Sequence, residues 1–127
     1  MMFTRRGIMA AMAALPVVGC AGDSAEIQGN GMYGLIGKFT AADGKRDELV
    51  GYLLEGLKDM PGCLSYVVAK ESKDEVTIWV TEVWDKSENH VASLQLPQVQ
   101  AAIAKARPII AGMERVAETE VAGGVGL

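Results

Sequence analysis

Val76-Thr77-Ile78-Trp79-Val80-Thr81-Glu82-Val83-Trp84 is the most strand-like run in this chain of 127 residues. It is rich in β-branched and aromatic side chains, which suit a pleated, half-buried surface. Side chains alternate across a strand, so Val76, Ile78, Val80, Glu82 and Trp84 share one face. Trp79 and Val83 share the other, and both faces are therefore largely apolar. Gly31 to Thr40 repeats the pattern, with Tyr33, Leu35 and Phe39 opposing Met32 and Ile36. An antiparallel sheet covered on one side by helices keeps its other side polar in a monomer. Apolar residues on both sides imply that a second sheet covers the free one. A second copy of the chain is the simplest source, and a homodimer packed sheet on sheet is expected; a monomer with an exposed apolar patch is the competing reading.

Working outward from that strand gives the rest of the order. Ala41 to Gly44 is a turn signalled by Asp43-Gly44. Lys45 to Met60 reads as a helix, with Leu49, Leu53, Leu57 and Met60 at helical spacing and Val50 and Leu54 widening the stripe. Pro61-Gly62 stops it. Cys63 to Ala69 is a second strand, joined to the third by the charged connection Lys70 to Glu75. Ser87 is suited to cap a short helix reaching about Gln95. Pro97 suits the first turn of a further helix, with Val99, Ala102, Ile103 and Ala106 on one face. Pro108 bends or ends that helix, and Met113 to Ala122 is the last strand. The order β-α-β-β-α-β predicts an α+β, ferredoxin-like fold. The folded domain is expected over residues 31–122, and residues 123–127 as a flexible tail. A domain of roughly 90 residues buries only about 60% of its unfolded surface and is marginal alone.

The N-terminus has a different character. Met1 to Gly7 carries Arg5 and Arg6 and no acid, Ile8 to Val18 is apolar but too short to span a bilayer, and small residues follow. This is the pattern of an export signal over residues 1–20. Thr4-Arg5-Arg6-Gly7-Ile8-Met9 looks like the twin-arginine export pattern, and Val17-Val18-Gly19-Cys20 looks like a lipoprotein cleavage box. Cys20 would then be the lipid attachment point, residues 21–30 a flexible linker, and the protein an exported one in the periplasm or at the cell surface, tethered to a membrane. Ordinary secretory cleavage without a lipid is the alternative. Removing residues 1–19 takes the formal charge from −4 to −6, because that segment holds two arginines and no acid. An acidic chain of this kind argues against a nucleic-acid partner. The two cysteines, Cys20 and Cys63, form no metal-ligand spacing, and no metal site is expected.

Pro61-Gly62-Cys63-Leu64-Ser65-Tyr66, then Glu82-Val83-Trp84, then Ser87-Glu88-Asn89-His90, with Leu94-Gln95-Leu96-Pro97 running into the last helix, together resemble the antibiotic biosynthesis monooxygenase family. The resemblance covers about residues 31–122. It implies a dimeric α/β barrel of two ferredoxin-like chains, with a pocket between helices and sheet in each. It also implies oxygenation of a quinol or polyphenolic aromatic by O2 with no metal or flavin cofactor. The family pattern often has a histidine at the place of His90 and another three residues later, where this chain has Ser93.

The chemistry needs a base, a flat apolar cavity and a few donors. A phenol that loses its proton becomes electron-rich enough to pass an electron to oxygen, so the protein must take that proton and stabilise the anion. His90 is the chain's one histidine and the natural base. An exposed or capping role on its helix is the alternative. Trp84 is a candidate ring-binding wall, or a core or interface aromatic. Glu82, a carboxylate on a buried face, is suited to orient His90, to accept a substrate hydroxyl, or to form a structural ion pair. Tyr66 and Tyr33 are candidate phenolic donors or packing residues. Asn89 is a candidate substrate-binding amide or an exposed helix residue. Cys63 reads as a small buried residue. The function expected is a cofactor-independent monooxygenase. A non-catalytic ligand-binding dimer is the alternative, and haem binding through His90 a more distant third.

Overall fold

In the computed structural model, which describes residues 31–127, the strands follow the ferredoxin-like order. β1 is Tyr33–Ala41, α1 Arg46–Glu55, β2 Cys63–Lys70, β3 Thr77–Trp84, α2 Ser87–Ser93, α3 Pro97–Ala106, and β4 Ile110–Glu120, with a 3₁₀ turn at Arg107–Ile109 before it. The four strands form one antiparallel sheet in the order β2-β3-β1-β4. The fold is therefore the α+β class expected from the sequence. The export signal, the linker and Cys20 lie outside the described residues.

The two faces of the sheet separate as the alternation requires. Ile78, Val80 and Trp84 are at most 1% exposed and face the helices, together with Glu82. Trp79 and Val83 face the other side and stay half-exposed, as does Ile36, while Val67 is 52% exposed there. The core proper is Ala41, Leu49, Ile78, Val80 and Ala106. Leu49 is the buried residue of α1, and that helix seats on β1, β2 and β3 while α3 packs against it.

Several boundaries differ from expectation for identifiable reasons. α1 stops at Glu55, not Met60. Gly56 follows, where a Cβ would come 3.2 Å from the Ala102 methyl, so the small residue permits the close approach of α1 to α3. The chain then turns through Asp59 and Gly62, both at positive φ, and Leu57 and Met60 face a cavity from the turn instead of from a helix. Ser87 does not cap α2. It is the first helical residue, Lys86 occupies the cap position, and no side chain caps the end. Pro97 does open α3. β4 begins three residues before Met113. Pro108 sits in the 3₁₀ turn, and the Ala42 amide donates to the Ile109 carbonyl at 2.9 Å, which draws Ile110 into register with Ala41.

The β2–β3 connection is held by side chains. The Arg46 guanidinium donates to the carbonyls of Glu71, Asp74 and Thr77 at 3.1, 2.7 and 3.3 Å. The Asp74 carboxylate accepts from the Val76 and Thr77 amides at 3.0 and 2.8 Å. This Asx turn explains why the charged run closes as a defined connection between paired strands.

Candidate active site

β1 and β3 pair with Tyr33 opposite Trp84 and Leu35 opposite Glu82. α2 begins just after Trp84 and folds back over that end of the sheet, which brings His90 onto both rings. The His90 ring meets Trp84 edge-on at 5.5 Å between centroids and Tyr33 at 5.8 Å. His90 and Glu82 are each 8% exposed, with His90 Nε2 3.7 Å from Glu82 Oε1. The same carboxylate oxygen accepts the Trp84 indole N–H at 2.9 Å. Glu82, Trp84 and His90 thus form one buried cluster from residues that lie close together in sequence.

The cluster opens on a cavity of about 610 Å³ between the sheet and the two longer helices. Leu35, Phe39 and Val80 line it from the sheet, Leu53 from α1, and Val99 and Ile103 from α3. Tyr66, Glu82, Trp84, His90, Ser93, Arg107 and Arg115 supply its polar and charged lining. That size suits an aromatic molecule of several rings.

Burial acts in opposite senses on the two titrating groups. It pushes the His90 imidazole below its ordinary value, and the Arg115 charge adds to this while Glu118 opposes it. Burial pushes the Glu82 carboxyl above its ordinary value, against the Trp84 hydrogen bond and Arg115. A neutral imidazole beside a buried carboxylate is a competent proton acceptor. Once protonated it would face a negative charge in a site of low dielectric, where that attraction counts for more than in water.

The remaining candidates divide. Tyr66 lines the cavity, and burial holds its phenol protonated well above the usual range, as suits a hydrogen-bond donor. Tyr33 touches His90 by its ring, but its hydroxyl donates to Glu118 at 3.0 Å and the residue does not line the cavity. Asn89 is also absent from the lining, with its amide donating to Asp85 at 2.7 Å. Cys63 is half-buried, its thiol directed to the Ser65 carbonyl at 3.7 Å. Ser93 lines the cavity at 4% exposure, and its hydroxyl donates to the His90 carbonyl at 2.6 Å. Among the described residues no cluster of three potential metal ligands occurs.

Two lining residues carry no signal in the sequence. Arg115 faces the cavity because a bulge in β4 shifts the register between Ile36 and Gly37, leaving Arg115 opposite Gly37, which has no side chain to block it. Arg107 enters the lining from the turn after α3. Neither follows from hydrophobic periodicity.

The sequence profile of the antibiotic biosynthesis monooxygenase family matches residues 32–105. A candidate antibiotic biosynthesis monooxygenase from Chloroflexus aurantiacus J-10-fl is 58% identical, with a TM-score of 0.71 over 73% of this chain and 95% of its own. A second such candidate, from Caulobacter crescentus CB15, is 21% identical with a TM-score of 0.64 over 74% of this chain and 92% of its own. A point mutant of SnoaB, a cofactor-independent oxygenase from Streptomyces nogalater, shares the fold at 13% identity and a TM-score of 0.63, covering 75% of this chain and 97% of that one. No curated protein matches the chain at a significant level.

Proposed function

We propose, because this chain belongs to the antibiotic biosynthesis monooxygenase family, that it inserts one atom of O2 into a quinol or polyphenolic ring without a metal or flavin. The observation that carries this reading is the buried His90–Glu82 pair, 3.7 Å apart, on the wall of an apolar cavity of about 610 Å³. A flat ring enters against Trp84. His90 accepts a phenolic proton, and Glu82 stabilises the imidazolium that results. The phenolate passes one electron to O2, and the radical pair joins to form a carbon–oxygen bond. The O–O bond then breaks, one oxygen staying on the ring and the other leaving as water. The substrate supplies all four electrons, two as quinol becomes quinone and two as C–H becomes C–OH. The product is a hydroxyquinone plus water, with no external reductant.

Reduced menadione serves as the test substrate. Oxygen uptake is followed with EDTA present, and peroxide is measured in parallel. The expected result is one O2 consumed per quinol with no peroxide released. Uptake equal to uncatalysed autoxidation, with stoichiometric peroxide, refutes the proposal. It would then favour a non-catalytic ligand-binding protein, a reading supported by Ser93, whose hydroxyl is committed to the His90 carbonyl where the family pattern often has a second histidine.

Two further readings belong to this proposal. The outer face of the sheet, with Ile36, Val67, Trp79 and Val83, is covered by a second copy of the chain, giving a homodimer. Light scattering at micromolar concentration tests this, and a monomer mass refutes it. The protein is exported and anchored through lipidated Cys20, supported by Arg5-Arg6 and the small residues before that cysteine. Labelling with a radioactive fatty acid, lost in Cys20→Ala, tests the anchor.

A further inference from the structure

The cavity is charged or polar at both ends, with a largely apolar stretch between them that only Arg115, opposite Gly37 and paired with Glu118, interrupts. At one end are His90 and Glu82, the latter opposite Leu35 in the sheet. At the other is Arg107, in the turn that leads to Ile110, the partner of Ala41. Leu35 and Ala41 are six residues apart on β1, about 20 Å at the rise of a strand. The registered pair Phe39 and Met113 lies between them, and both line the cavity. Met113 is 71% exposed, so the cavity is open along this edge strand.

The charges differ in their partners. Glu82 is buried. Arg115 is neutralised by Glu118 at 2.5 Å. Arg107 is exposed and pairs with no carboxylate among the described residues. An unpaired guanidinium at the rim of an apolar cavity is notable in a chain whose formal charge is −4. A guanidinium presents a planar fork that matches a carboxylate in two parallel hydrogen bonds.

We propose that the substrate of this cavity is an elongated aromatic acid, its oxidisable phenol at the His90 end and its anionic group held by Arg107 at the opposite end. The inference rests on the oxygenase reading above and specifies its substrate class. Two-point attachment fixes which end of a flat, otherwise featureless ring system meets the base, and such orientation is a large part of catalysis. The competing account of Arg107 is structural: a cation at the end of α3 complements the helix dipole.

The test measures equilibrium binding to the full-length chain at low salt, so it does not depend on turnover. Quenching of tryptophan fluorescence reports binding of anthraquinone-2-carboxylate and of the neutral anthraquinone-2-carboxamide. The carboxylate is expected to bind at least tenfold more tightly. Arg107→Gln is expected to bring the two within twofold while leaving the amide's affinity unchanged. Lys105→Gln removes the same charge from a site outside the cavity and is expected to preserve the tenfold preference. Equal affinities in wild type, a preference that survives Arg107→Gln, or one lost equally in Lys105→Gln overturns the proposal. Binding of neither probe overturns it as well, and the oxygen-uptake assay then reports separately on the oxygenase reading.

Discussion

Replacing His90 with glutamine removes the proposed base while keeping a polar side chain of similar size, and the bond from Ser93 to the His90 backbone carbonyl is unaffected. A positioned general base contributes about 10²- to 10⁴-fold to rate. The structure indicates the lower end for the single variant. Glu82 Oε1 lies 3.7 Å from the position of Nε2, so a buried carboxylate remains within reach of the same proton, directly or through one water. The expected fall in kcat/KM for His90→Gln is therefore about 100-fold, about 2.7 kcal/mol of transition-state stabilisation. In His90→Gln/Glu82→Gln the substitute base is also gone, and the fall is expected to approach 10⁴-fold. Groups that share one proton act as a unit, so the two single effects are not expected to add. The assay is initial oxygen uptake with reduced menadione, corrected for autoxidation, with anthraquinone affinity measured on each variant to show that the cavity is intact. A His90→Gln protein within about threefold of wild type refutes His90 as the base. A double variant no slower than the single refutes Glu82 as its substitute.

The acid limb of kcat/KM is expected to lie below the ordinary histidine value of 6.5, because burial and Arg115 disfavour the imidazolium. Arg115→Gln is expected to move that limb upward, and a downward shift contradicts the assignment. Stability should show the opposite signature for Glu82, whose carboxyl is pushed above its ordinary value of 4.5. The folded state then holds that proton more tightly than the unfolded chain, so stability is lost as pH rises from about 4.5 through the folded value. Glu82→Gln removes this loss, and its melting temperature relative to wild type is expected to improve as pH rises above about 4.5 and to level off once the folded carboxyl has ionised; a difference independent of pH refutes the sign. Gly62→Ala introduces a Cβ at φ +85°, against the Asn89 amide and the Asp85 carboxylate. Left-handed backbone alone costs such a residue about 1–2 kcal/mol. For a domain this small that is a fall of roughly 5–15 °C in melting temperature, readable by circular dichroism.

The fold was legible because its signals are periodic. Alternation in Thr77–Trp84 separates the buried face from the half-exposed one, and Pro97 opens α3 where a proline should. Misjudged boundaries fell where tertiary contact outweighs local pattern. Leu57 and Met60 continue a helical spacing, yet Gly56 and the close approach of α3 end the helix before them. Glu82, Trp84 and His90 were legible as candidates because they lie on one strand and the helix that follows. Their mutual geometry depends on how α2 folds back, and that is not a property of spacing. Tyr33 and Asn89 were singled out by chemical type, but their polar atoms are committed to Glu118 and Asp85 outside the cavity lining. Arg107 and Arg115 reach the cavity through a 3₁₀ turn and a bulge, irregularities that leave no periodic trace in sequence.

The central claim is that this cavity drives insertion of one oxygen atom into its substrate using only the chain's own residues. The direct measurement is turnover of reduced menadione under ¹⁸O2 with metals chelated, followed by mass spectrometry of the product and the water. One ¹⁸O in a hydroxylated quinone and one in water, both reduced to the autoxidation background in the His90→Gln/Glu82→Gln variant, is the predicted result. Unlabelled menadione accompanied by labelled peroxide, or incorporation that persists undiminished in the double variant, would contradict it.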